Sequence, residues 1–119
     1  SRRAYIFITM PFIKKKKNVY PWPVEIQLPS EENPGHFEKY KFIAKFARLP
    51  KKELDNFSNM KEEEILAKII VGWDEVEDED GKPLLFSKIA LKEFGEDTDF
   101  TTGILKAYEE FYGKTVEKN

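Results

Sequence analysis

Val24-Glu25-Ile26-Gln27-Leu28 alternates apolar and polar residues over five positions, the period of a half-buried strand, and Pro29 ends it. From Phe37 to Leu49 the same period resumes. Tyr40, Phe42, Ala44 and Phe46 point one way, and Lys39, Lys41, Lys45 and Ala47 mostly point the other, with Ile43 among them. Between the two runs, Ser30 to His36 is a polar loop containing Pro34-Gly35. Strands joined by so short a loop pair as an antiparallel hairpin. Ahead of them Pro21-Trp22-Pro23 holds the chain extended, because residues before proline avoid the helical basin.

After Leu49 the period changes. Pro50 suits the first turn of a helix, and Leu54 and Phe57 share one face of Lys51 to Phe57. Asn59 with Glu62 forms a capping box for a further helix, in which Ile65, Leu66, Ile69, Ile70 and Trp73 make a wide apolar stripe and Gly72 provides the stop. Glu75 to Glu77 adds a short extended piece before the Asp80-Gly81 turn. Ser87 caps a helix carrying Ile89, Leu91 and Phe94, which Gly95 stops. Thr98 or Asp97 opens the last helix, which runs through Tyr112 to Gly113. Strands first and helices afterward predict an α+β fold: an N-terminal antiparallel β-hairpin or small sheet, followed by three to four α-helices. Residues 1–18 are expected to form a separate strand and basic segment, 19–113 a single domain, and 114–119 a frayed tail.

The length of 119 residues allows one domain, and 40% hydrophobic with 35% charged residues is neither a disordered nor a membrane composition. The net charge of -2 gives no bulk attraction to nucleic acid or an anionic membrane. Cysteine is absent, which excludes disulfides, thiolate metal sites and cysteine nucleophiles, and a single histidine, His36, cannot build a multi-histidine site. Arg2 and Arg3 precede the apolar run Ala4 to Ile13, but Pro11 breaks it and Lys14 to Lys17 follow where a cleavage site would lie. The run is also far short of the roughly 20 residues that a spanning helix needs. Tyr5-Ile6-Phe7-Ile8-Thr9 is predicted to be a strand that needs a partner strand or another protomer.

Asp74 to Asp80 holds carboxylates at every position but Val76, followed by Gly81. Aligned as a calcium loop on that glycine, it places Val76 at the first ligand position and Ser87 at the bidentate one, so a solvated acidic turn is the better reading. Lysines interleaved with aromatics in the second strand would suit a single-strand nucleic-acid platform, but alternation sends the two sets to opposite faces. His36 has no triad-like neighbour, and no glycine-rich phosphate loop occurs. In the last helix Phe100, Ile104, Tyr108 and Phe111 form a stripe that Leu105 and Tyr112 widen. Either part of this face offers a groove to a partner or protomer, or all six residues are core.

The stretch Ile69 to Ser87 contains Gly72-Trp73, Val76, Asp78-Glu79, Gly81, Pro83-Leu84 and Phe86-Ser87. In that spacing, G-W-x-x-V-x-D-E-x-G-x-P-L-x-F-S, it resembles the phage tail assembly chaperone family. Trp22-Pro23-Val24, the Phe42-to-Leu49 strand and the closing helix with Ala107-Tyr108 are similar more loosely, so the likeness runs from about Tyr20 to Gly113. The resemblance implies a non-catalytic protein without cofactor or metal. It would work in the cytoplasm of the bacterial host, bind the tape measure protein, keep it soluble and be absent from the mature virion. The major tail protein and further copies of the chain are additional expected partners; nucleic acid and membrane are not. On this reading Gly72, Trp73, Val76, Asp78, Gly81, Pro83, Leu84, Phe86 and Ser87 hold the fold, and Ile104, Leu105, Tyr108, Phe111 and Tyr112 form the client surface. The alternative is a small structural tail or head-completion protein of a phage.

Overall fold

In the computed structural model, which describes residues 6–14 and 18–113, the two alternating runs form the expected hairpin. Strand β1 (Val19–Pro29) pairs antiparallel with β2 (Phe37–Ala47), in register from Val19 opposite Ala47 to Pro29 opposite Phe37. Ser30 closes the loop: its amide donates to the His36 carbonyl at 2.9 Å and its hydroxyl donates to the Glu38 carboxylate at 3.1 Å. Val24, Phe42, Ala44 and Phe46 are buried on one face. Lys39 and Lys41 stand on the other, each 4.0 Å from Glu25, so the lysines do form a solvated outer layer.

The sheet gains a third strand where a longer helix was expected. After α1 (Lys51–Asp55) and a 3-10 turn (Asn56–Asn59), helix α2 (Glu62–Ile69) stops at Ile69, and β3 (Ile70–Asp74) adds to the free edge of β2. Two physical reasons favour the strand. Ile69-Ile70-Val71 is a β-branched run, and a bulge opposite Lys45 and Phe46 leaves Val71 unpaired. With that extra residue Ile70 and Trp73, three apart, both face the core, so the stripe is buried without remaining helical. Gly72 lies across from Lys45, where a Cβ would come within 3.1 Å of the lysine Cδ. The cap of α2 also moves: the Lys61 amide donates to Glu64 Oε1 at 2.9 Å, two residues beyond the expected Asn59–Glu62 pair.

Helices α3 (Lys88–Phe94) and α4 (Thr98–Phe111) begin where their caps predict. Ser87 Oγ accepts from the Ala90 amide at 3.0 Å, and Asp97 Oδ1 accepts from the Asp99 amide at 2.8 Å. Helix α4 lies directly against β1, because Gly103 brings backbone to backbone: a Cβ there would sit 2.9 Å from the Glu25 carbonyl oxygen. The result is an α+β fold of one helical layer on one face of a three-stranded antiparallel sheet in the order β1-β2-β3.

The strand expected over Tyr5–Thr9 does not form at Ile6 to Thr9, and Tyr5 lies outside the described residues. The adjoining edge offers little to pair with. Pro21, Pro23 and Pro29 occupy alternate positions of β1, so the row of amides facing away from β2 lacks three donors, and α4 packs close beside it. The tail 114–119 also lies outside the described residues. Among the described residues no helix is long and apolar enough to cross a membrane.

Candidate functional site

The α4 face expected to meet a client is core. Ile104 is 0% exposed, Tyr108 7% and Phe111 9%, while Leu105 and Tyr112 are half-buried against the same cluster. Phe111 packs on Tyr20, Trp22 and Phe46, and Tyr108 meets Phe46 edge-on at 5.1 Å. A three-stranded sheet has one apolar face to cover, and α4 must present its wide stripe to that face, which removes it as a docking surface.

The hydroxyls of this face join the end of α4 to the end of β2. Tyr108 donates to the Ala47 carbonyl at 2.6 Å, and Tyr112 accepts from the Leu49 amide at 2.9 Å. The two hydroxyls lie 3.1 Å apart. Because the Tyr108 proton goes to Ala47, Tyr112 is the donor between them. Burial, and then the hydrogen bond with Tyr112, hold the Tyr108 hydroxyl far above its ordinary pKa of 10.0. Arg48 completes the corner: its guanidinium donates to the Phe111 carbonyl at 2.9 Å and lies 3.9 Å over the Tyr112 ring.

The residues of the Gly72-to-Ser87 motif are placed by structural contacts. The Trp73 indole donates to the Leu84 carbonyl at 2.8 Å, stacks on Phe94 at 5.1 Å and meets Phe86 edge-on at 4.9 Å. The Leu84 amide returns a bond to the Val76 carbonyl at 2.8 Å, and Glu77 bridges Pro83 across the turn. Asp78 Oδ1 accepts from the amides of Asp80 at 2.9 Å and Lys82 at 3.0 Å, and Gly81 takes the positive φ of 78° that the reversal needs. Among the described residues no group of three or more histidine, aspartate or glutamate side chains is gathered as a metal ion would require. His36 sits exposed in the hairpin loop.

Among the described residues two open clefts have mainly apolar walls, and neither follows from the sequence pattern. One lies between α2 and α3, about 520 Å³ in volume, with Leu66, Ile70, Phe86 and Leu91 in its lining and Ala67 and Val71 at its exposed margin. Leu85 and Ile89, next along the chain, are exposed. The other, about 850 Å³, opens at the far end of the hairpin between the sheet and the α3–α4 connection. Its apolar lining includes Ile26, Leu28, Val76 and Phe94, and Glu75, Glu77, Asp78, Glu93 and Asp97 stand around it. The clefts depend on how far apart the elements pack.

No protein family, curated protein or solved structure matches the chain.

Proposed function

We propose that this chain is a phage tail assembly chaperone, a non-catalytic protein that binds the tape measure protein and keeps it soluble during tail assembly in the bacterial host. The observation that carries the reading is the double role of Phe86. It belongs to the Gly72-to-Ser87 stretch that resembles the family, packs edge-on against Trp73, and also lines the open apolar cleft between α2 and α3. Through Phe86 the motif contributes one side chain to the wall of a groove of the kind that takes one face of an amphipathic helix. The client surface therefore shifts from α4 to this cleft, with Ala67 and Val71 at its margin.

Co-expression with the tape measure protein, followed by size-exclusion chromatography with light scattering, tests the reading. A soluble complex containing several copies of the chain is expected. Ala67→Glu with Val71→Glu, both exposed positions, should abolish that solubility while leaving the circular dichroism spectrum unchanged. A client that precipitates beside wild-type chain rejects the chaperone. Retention of the chain in purified virions would instead identify a structural tail or head-completion subunit.

A further inference from the structure

The charge of this chain is divided sharply along its length. Six of the 20 basic residues, Arg2, Arg3 and Lys14 to Lys17, fall within residues 1–18, which hold no acid; residues 19–119 keep 14 bases against 22 acids, a net charge of -8. Between the two basic groups lies Ile6-Phe7-Ile8-Thr9-Met10-Pro11-Phe12-Ile13, with no helix or strand. Its large apolar side chains face solvent, Ile6 and Phe12 at 94% exposure. So much exposed apolar surface in one short segment marks a contact site.

The hairpin-end cleft has the complementary character. Its lining is apolar at Ile26, Leu28, Val76 and Phe94, and the carboxylates of Glu75, Glu77, Asp78, Glu93 and Asp97 surround that floor. None of the five forms an ion pair among the described residues. Lys41 also borders the cleft, but its ammonium lies 4.0 Å from Glu25, which belongs to the opposite face of β1. An apolar floor inside an anionic rim fits an apolar segment flanked by cations, in both shape class and sign.

We propose that this cleft receives the Ile6–Ile13 segment of a second copy of the chain, with the flanking bases against the acidic rim, and that two copies exchange segments reciprocally. Reach argues for the second copy. The segment joins the domain at Val19, whereas Ile26 and Leu28 lie seven and nine residues farther along β1, about 23–30 Å away at about 3.3 Å per residue. A chain folded back on its own cleft brings Ile6 to Met10 to the floor only by leaving Lys14–Lys17 behind near Val19, and a second copy supplies both. Each copy presents one segment and one cleft, so a reciprocal exchange between two copies leaves neither unfilled. The proposal does not depend on the identity of the client.

Light scattering on the full chain tests it, with an expected mass near 28 kDa, twice the 14.0 kDa of one copy. Glu77→Lys with Glu93→Lys closes the cleft to cations, and Ile8→Asp with Phe12→Asp disables the segment. All four positions are exposed, so both variants should stay folded and each alone should elute as a monomer. Mixed together they restore one intact segment-and-cleft junction, and a two-copy species should return. A wild type that stays monomeric at millimolar concentration overturns the proposal, including the case in which the segment occupies its own cleft. Dimers that persist in either variant, or a mixture that stays monomeric, overturn it equally.

Discussion

The indole N–H of Trp73 donates to the carbonyl of Leu84 across 2.8 Å, tying the edge strand β3 to the chain that leads into α3. The same ring stacks on Phe94 and meets Phe42, Phe86 and Phe100 edge-on, so one side chain joins the sheet, the acidic turn and both later helices. Trp73→Phe keeps an aromatic but deletes the donor and part of the ring. The loss should be about 2–3 kcal/mol, the sum of one buried hydrogen bond and a partly filled cavity. Urea unfolding followed by circular dichroism measures it. A loss below about 0.5 kcal/mol would remove Trp73 from this role.

Tyr108 and Tyr112 act as one unit. Tyr108→Phe leaves the Ala47 carbonyl without its donor and should cost about 1–2 kcal/mol. Tyr112→Phe removes the acceptor of the Leu49 amide and the donor to Tyr108, so the double variant should cost less than the two single losses added. A pH dependence follows from the raised Tyr108 pKa. Its folded value lies above the ordinary 10.0, so the stabilising contribution is complete below pH 10. Above pH 10 the unfolded chain ionises this group while the folded chain keeps its proton, and stability falls by at most about 1.4 kcal/mol per pH unit. Tyr108→Phe should flatten that decline, and an unchanged slope would show that other groups cause it.

The hairpin was legible because period-two alternation in Val24–Leu28 and Phe37–Ala47 admits one register and one buried face. β3 was not. Ile69, Ile70 and Trp73 satisfy a helical stripe and, with one bulged residue, an equally buried strand; the free edge of β2 decides between them, and no local pattern reports it. The α4 stripe was legible as apolar, with core and partner surface both left open, because its coverage depends on how closely the helix docks on β1, which Gly103 sets and no local pattern reports. Ile6–Thr9 shows the converse: strand propensity is local, whereas pairing needs an available edge, and the prolines of β1 restrict the adjoining one.

Gly103 sits in the middle of α4, where alanine would ordinarily gain about 1 kcal/mol of helix propensity. The Glu25 carbonyl oxygen is 2.9 Å and Ile26 Cγ1 is 3.0 Å from the position of an added Cβ. Both neighbours belong to a strand held along its length by β2, so the helix must move outward instead. Gly103→Ala should therefore destabilise by about 1–2 kcal/mol despite its propensity, and Gly103→Val by more. A raised melting temperature for Gly103→Ala would mean that α4 does not press on β1.

Glu75 leaves β3 with φ at 67°, the one non-glycine residue among those described to occupy positive φ. A side chain there meets the steric penalty of the left-handed region, which asparagine tolerates better than glutamate. Glu75→Asn should raise stability by about 0.5–1 kcal/mol, and the β-branched Glu75→Val should lower it by about 1–2 kcal/mol. The position also lies in the run of carboxylates from Asp74 to Asp80, so relief of charge repulsion offers a competing cause for any gain. Glu75→Gln separates the two: it removes the charge and keeps the long side chain on a strained backbone. Urea midpoints that rank Asn above Gln, with Gln close to wild type, assign the effect to backbone strain. Equal gains from Asn and Gln would assign it to the acidic turn, and the positive φ would then carry no measurable cost.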